Sequence, residues 1–183
     1  GKSIAITNNL HNLKPFIGQK LGQELIDSGI PEYLHKFLNY KYVSKEEAFQ
    51  LMGYKWSGWV VPYKDLDGKP YLHNGKLFYR IKPDAGQISE GKYRTMKGAG
   101  NRPYFSPLLK EQNLIKDIKG NGNIIFTEGE KKTDSLVRHG FTTIGLAGVW
   151  SWTDGRVDKY QLLPELEAIN WRGRYVVILF DSD

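Results

Sequence analysis

Hydrophobic and polar positions change rhythm twice along this chain. From Phe16 to Ile26 apolar residues recur at irregular helical spacing. Gly29-Ile30-Pro31 interrupts the run, and Pro31 suits the first turn of a short second helix through Phe37. Ser44 and Glu47 have the S-x-x-E spacing of a capping box, opening a helix that Gly53 ends. Residues 1–55 therefore read as a helical N-terminal region. Beyond it the period shortens. Trp56 to Tyr63 and Leu77 to Ile81 read as strands, with a turn at Asp65-Leu66-Asp67-Gly68-Lys69-Pro70 between them. The Asp65/Asp67 pair lacks the glycine and distal glutamate of a calcium loop, so the turn reading stands.

In the last third the pattern alternates. A strand (Ile124 to Thr127), a helix (about Glu130 to Arg138), a stop at Gly140 and a strand (Thr142 to Leu146) come first. A Gly-Trp loop, a helix around Lys159 to Ile169 and a strand (Tyr175 to Phe180) follow. This predicts a parallel β-α-β-α-β unit with right-handed crossovers. The expected class is α/β, or α+β overall, in three regions: helical 1–55, β-rich 56–120 and the parallel unit 121–183.

Composition narrows the chemistry. The 183-residue chain is long enough for one globular unit or two small domains. Its longest apolar stretch is strand-sized, well short of the roughly 18 residues of a membrane span. Without cysteine, disulfides and thiolate zinc sites are excluded within the chain, and His11, His35, His73 and His139 lack ligand-like spacing. No secretory signal is visible, and a cytoplasmic location fits.

The net charge is +6, and its distribution is uneven. Arg80, Lys82, Lys92, Arg94, Lys97 and Arg102 face only Asp84 and Glu90 in their segment, with Tyr79, Tyr93, Tyr104 and Phe105 among or beside them. Bases contact phosphates and rings stack on unpaired bases, so this mixture suits single-stranded nucleic acid. A solvated β-hairpin face is the alternative. Lys131 and Lys132 read as phosphate contacts or as the solvated side of a helix. Trp150 and Trp152 read as loop residues capping the core, with base stacking the alternative.

Two acidic clusters sit at strand ends: Glu128-Gly129-Glu130 after the first strand of the last region, and Asp181-Ser182-Asp183 after its third. A parallel sheet gathers the C-terminal ends of its strands on one edge, where ligands bind. Carboxylates delivered there suit Mg²⁺ or Mn²⁺ and phosphate chemistry. Gly129 lets the backbone turn tightly into the helix, and Glu130 suits the positive end of the helix dipole. Asp181 and Asp183, two apart in an extended segment, point the same way and can address one metal.

Ile125-Phe126-Thr127-Glu128-Gly129-Glu130 with Phe180-Asp181-Ser182-Asp183 resembles the TOPRIM domain of primases, type IA and II topoisomerases and certain nucleases. Lys131-Lys132 after the E-G-E and the loop Gly148-Val149-Trp150-Ser151-Trp152 resemble the TOPRIM primases of phages, plasmids and mobile elements. So does the segment from Tyr79 to Phe105. The likeness spans about residues 56–183.

The resemblance implies Glu128 as metal ligand or general acid/base, and Asp181 and Asp183 as metal ligands. It implies a basic segment that holds template and primer, NTP substrates, and a fused or separate helicase partner. Three departures stand out: Lys132 replaces an aspartate of many primases, no cysteine is present for a zinc ribbon, and the sequence stops at Asp183, where a TOPRIM fold continues. The expected function is primer synthesis by an incomplete module. A metal-dependent TOPRIM nuclease and a non-catalytic DNA-binding or assembly module are the alternatives.

Overall fold

The computed structural model describes residues 19–88, 93–153 and 161–181. Helix α1 (Gln19–Asp27) leads through the Gly29 turn into α2 (Glu32–His35), with Pro31 extended at its N-cap. Strand β1 (Lys41–Val43) precedes α3 (Lys45–Met52). The capping box forms as the spacing predicts: Glu47 N donates to Ser44 Oγ at 3.2 Å, and Ser44 N donates to Glu47 Oε2 at 2.7 Å. Gly53, at φ 83°, closes the helix in the left-handed region.

Strand β2 (Gly58–Pro62), the small hairpin β3 (Leu72–His73) and β4 (Lys76–Leu77), then β5 (Tyr79–Pro83) and β6 (Arg94–Thr95) follow. β1, β2, β5 and β6 form one four-stranded antiparallel sheet in that order. The first region is thus not wholly helical: Lys41, Tyr42 and Val43 pair with Val60, Trp59 and Gly58. Short helices α4 (Leu108–Glu111) and α5 (Ile115–Lys119) occupy the end of the region expected to be β-rich.

Next come β7 (Ile124–Glu128), α6 (Glu130–Arg138), β8 (Thr143–Leu146), α7 (Pro164–Glu167) and β9 (Val176–Leu179). The predicted parallel unit is present, with β7 central in the order β8-β7-β9. The described part of the helix expected around 159–169 is the single turn α7, and residues 154–160 lie outside the described residues. Together these elements make a mixed α/β fold.

Contacts cross both expected region boundaries. β1–β2 pairing joins the first two regions. On the outer edge of β8, Tyr104 N donates to Gly145 O at 2.8 Å and Gly145 N to Tyr104 O at 2.9 Å. A Cβ at Gly145 would lie 2.4 Å from Thr133 Oγ1 and 3.1 Å from Tyr104 Cβ, so glycine admits α6 and the Tyr104 segment together. One core, including Leu25, Leu38, Val61, Ile81, Leu108 and Ile144, runs through all three regions. Arg174 ties the start of β9 to α5 by donating to the carbonyls of Asp117, Ile118 and Gly120, at a helix C-terminus where carbonyls lack intrahelical partners. Among the described residues no helix is long and apolar enough to cross a membrane.

Candidate metal and nucleic-acid site

The register of the parallel sheet brings one acid of each cluster, Glu128 and Asp181, to one edge. Thr127 on β7 aligns with Leu179 on β9, so Glu128 ends β7 beside the Phe180-Asp181 exit of β9. Glu128 is exposed, and the Asp181 side chain is also open to solvent. Gly129 has φ 87°, and a Cβ there would meet nothing within 4 Å. Glycine is therefore needed at this position for its backbone angle rather than for space. Its N–H donates to Leu146 O at 2.9 Å, anchoring the turn to β8.

Lys132, on the first turn of α6, donates to Asp181 Oδ1. Lys131 points elsewhere, 3.6 Å from Glu24 Oε2. Among the described residues no group of three or more acids or histidines forms a ready metal cage. Glu128 and Asp181 are a partial donor set of hard oxygens from neighbouring strand ends, a chemistry that fits Mg²⁺ or Mn²⁺. Asp183 lies outside the described residues.

Glu130 lies in the opposite environment. Its carboxylate is fully buried and accepts from Tyr63 Oη and Arg80 Nη1, both at 2.7 Å. The expected dipole interaction at the helix start is thus joined by an internal ion pair. Burial alone would lower the Arg80 guanidinium, but Glu130 and Tyr63 together outweigh it and hold it raised. Asp134, one turn on, is also fully buried and accepts from Tyr40 Oη at 2.8 Å and Tyr104 Oη at 2.9 Å. Burial raises its carboxyl to about 7, against the downward pull of hydrogen bonds from Ser106, Tyr40 and Tyr104. The same burial, with Asp134 and Glu130 nearby, lifts the Tyr40, Tyr63 and Tyr104 hydroxyls well above the usual range.

The basic segment does not form one open surface. Arg80 is interior, which corrects its expected role as a phosphate contact: the inward face of β5 points it at α6. Lys82, on the same sheet face, pairs with Glu24 at 2.9 Å. Arg94 sits opposite Ile81 and therefore on the other face, half-buried. Lys97 is exposed, and Arg102 pairs with Glu165 at 3.3 Å. Lys92 lies outside the described residues. The aromatic residues expected to stack on bases are mostly core: Tyr79, Tyr104 and Phe105 are buried, and Tyr93 lies against Arg80, 5.5 Å from ring centroid to guanidinium. Trp152 packs partly against the core as expected, whereas Trp150 is 77% exposed.

Tyr40 and Tyr63 have no place in the site read from sequence, and Tyr104, expected to stack on bases, instead donates to a buried acid. A signal was available: buried Glu130, Thr133, Asp134 and Val137 recur at i, i+3, i+4 and i+7, one face of a helix. A polar stripe at that spacing, if turned inward, demands partners from elsewhere in the chain.

A family model described as a domain of unknown function, DUF3854, matches residues 115–183. No curated protein and no solved structure matches. The matched stretch runs from α5 to the end of the chain, so it contains the strand-end carboxylates and α6 but none of the tyrosines or the arginine that satisfy the buried acids.

Proposed function

We propose that this chain belongs to a TOPRIM-type primase, making short RNA primers on single-stranded DNA during replication of a phage, plasmid or mobile element. The observation that carries the reading is the convergence of Glu128 and Asp181 at the ends of adjacent parallel strands β7 and β9. Glu128, Asp181 and Asp183 would hold Mg²⁺ or Mn²⁺. The bound metal would neutralise phosphate charge and favour in-line attack by a 3′-hydroxyl.

The chain's own residues supply the rest. Glu128, exposed at the end of β7, would serve as a ligand of that metal or as the general acid/base of the reaction. Lys132 neutralises Asp181 until nucleotide phosphates offer it an alternative partner. Lys97 is the exposed member of the described basic segment and a candidate template contact, with Arg94 and Arg102 nearby in sequence. A host-cell cytoplasmic location and a replicative helicase partner accompany this reading.

The test is primer synthesis on mixed-sequence single-stranded DNA with labelled NTPs and Mg²⁺ or Mn²⁺. Short template-dependent products that vanish with Glu128→Gln and Asp181→Asn are expected. Template degradation in place of products would favour the nuclease, which uses the same carboxylates. Salt-dependent DNA binding with no chemistry would favour the binding module.

A further inference from the structure

The inward face of α6 gives a second role to residues that carry no chemistry at the strand ends. Both of its buried carboxylates find partners far upstream: Tyr63 and Arg80 for Glu130, Tyr40 and Tyr104 for Asp134. The Arg80–Glu130 pair is incompletely satisfied. Arg80 Nε and Glu130 Oε2 are buried and make no hydrogen bond among the described residues. An ion pair withdrawn from water in this way adds little stability over an apolar pair of similar volume. What it supplies is a fixed orientation.

Orientation matters here because of what lies on either side. Glu130 follows Glu128 across a single residue, Gly129, whose own N–H is tied to Leu146. Lys132, on the same first turn, reaches Asp181 at the end of β9. A rotation of that turn breaks the Lys132 contact with Asp181 and strains the Gly129 link to Glu128. The next turn is gripped separately, through Asp134, by hydroxyls from the segment before β1 and from the Tyr104 bridge.

We propose that Arg80, Tyr63 and Glu130 are positioning residues that set the first turn of α6 and, through it, Glu128 and Lys132. Tyr40 and Tyr104 hold the following turn. The antiparallel sheet is then a working part of the carboxylate site, and α6 depends on it for its orientation. The metal-binding test below rests on the proposed metal role of Glu128 and Asp181; the exchange test does not.

The deciding variant is Arg80→Met with Glu130→Leu, which replaces the ion pair by apolar volume. In the whole chain its Tm is expected to fall by no more than about 10 °C, because the pair itself adds little net stability and the main cost is the Tyr63 hydroxyl left without its acceptor. Mn²⁺ affinity of the folded protein, followed by electron paramagnetic resonance, is expected to fall about tenfold to a hundredfold, the usual cost of losing an outer supporting contact. Arg80→Lys, which keeps the charge without the planar fork, is expected to lose less. A purely structural role would lower Tm and leave the affinity of the folded fraction alone. Unchanged affinity in the folded double variant overturns the proposal.

Glu128→Gln separates the two failures. If wild type takes up no Mn²⁺, or Glu128→Gln leaves uptake unchanged, the metal reading falls. Coupling is then decided by amide hydrogen exchange at residues 128–132. Exchange there is expected to be about tenfold faster in the double variant while β8 is unaffected, the mark of a local opening. Equal exchange overturns the proposal. Should the double variant fail to fold, Arg80→Lys carries both readouts.

Discussion

Glu128 and Glu130 stand on either side of one glycine, yet one carboxylate is open to solvent and the other is sealed against Arg80 and Tyr63. The same division runs through the whole parallel unit. The strand-end acids Glu128 and Asp181 are exposed, with a lysine on Asp181, while Glu130 and Asp134 lie inside α6's buried face. The exposed set keeps its hydration and can exchange it for a ligand. The buried set has already exchanged water for fixed protein donors, so its energy is committed to the fold. Proximity in sequence therefore says little about role here, whereas desolvation separates the two sets. The two sheet edges differ in the same way: Tyr104 bridges to β8, while β9 has no outer strand partner among the described residues and exposes Val176 through Leu179.

The comparison breaks most visibly at Glu130. Glu130→Ala leaves the Arg80 guanidinium buried without its counter-charge and is expected to cost about 3–5 kcal/mol in urea denaturation. A loss no larger than that of a surface variant would mean that the pair is not buried in solution. Tyr104→Phe removes one donor from Asp134 and is expected to cost about 1–3 kcal/mol. It should also move the Asp134 carboxyl still higher, because that hydrogen bond pulls it down.

Asp134→Asn is milder, about 1 kcal/mol near pH 5, since the amide oxygen still accepts from one tyrosine and the amide NH2 can donate to the hydroxyl oxygen of the other. Its signature is in the pH dependence. The wild-type carboxyl is raised to about 7 from its usual 3.8, so the folded state keeps a proton that the unfolded chain has released. That contribution is fully present below the usual aspartate range and is lost as pH rises through about 7. Denaturation curves from pH 4 to 8 should therefore slope downward more steeply for wild type than for Asp134→Asn. Parallel curves would show that Asp134 is not held protonated by its surroundings.

The smallest effect on stability is expected at Glu128. Glu128→Gln changes an exposed side chain and should stay within about 0.5 kcal/mol of wild type while abolishing the proposed metal-dependent activity. A large destabilisation there would erase the contrast with Glu130.

Much of the last third was legible from local pattern. Apolar runs of strand length, the helix between them and the glycine after Glu128 account for β7, α6, β8 and β9, and hence for acids at one sheet edge. Ser44, Glu47 and Gly53 likewise specify both ends of α3. β1 was not legible, because Lys41-Tyr42-Val43 becomes a strand only by pairing with β2. Arg80 illustrates the harder case. Strand alternation puts Arg80 and Lys82 on one face, but only the position of α6 makes Arg80 interior while Lys82 remains half-buried beside Glu24.

The sequence by itself determined which residue types arrive at the strand ends, since strand, tight turn and helix are set by neighbours within a few positions. The tertiary structure alone decided which carboxylates meet water and which meet tyrosine and arginine. The physical reason is that burial is a property of what packs from a distance. Tyr40, Tyr63, Arg80 and Tyr104 lie 30 to 94 positions from the acids they satisfy. No short stretch of chain around Glu130 or Asp134 contains the donors that make burying those carboxyl groups possible.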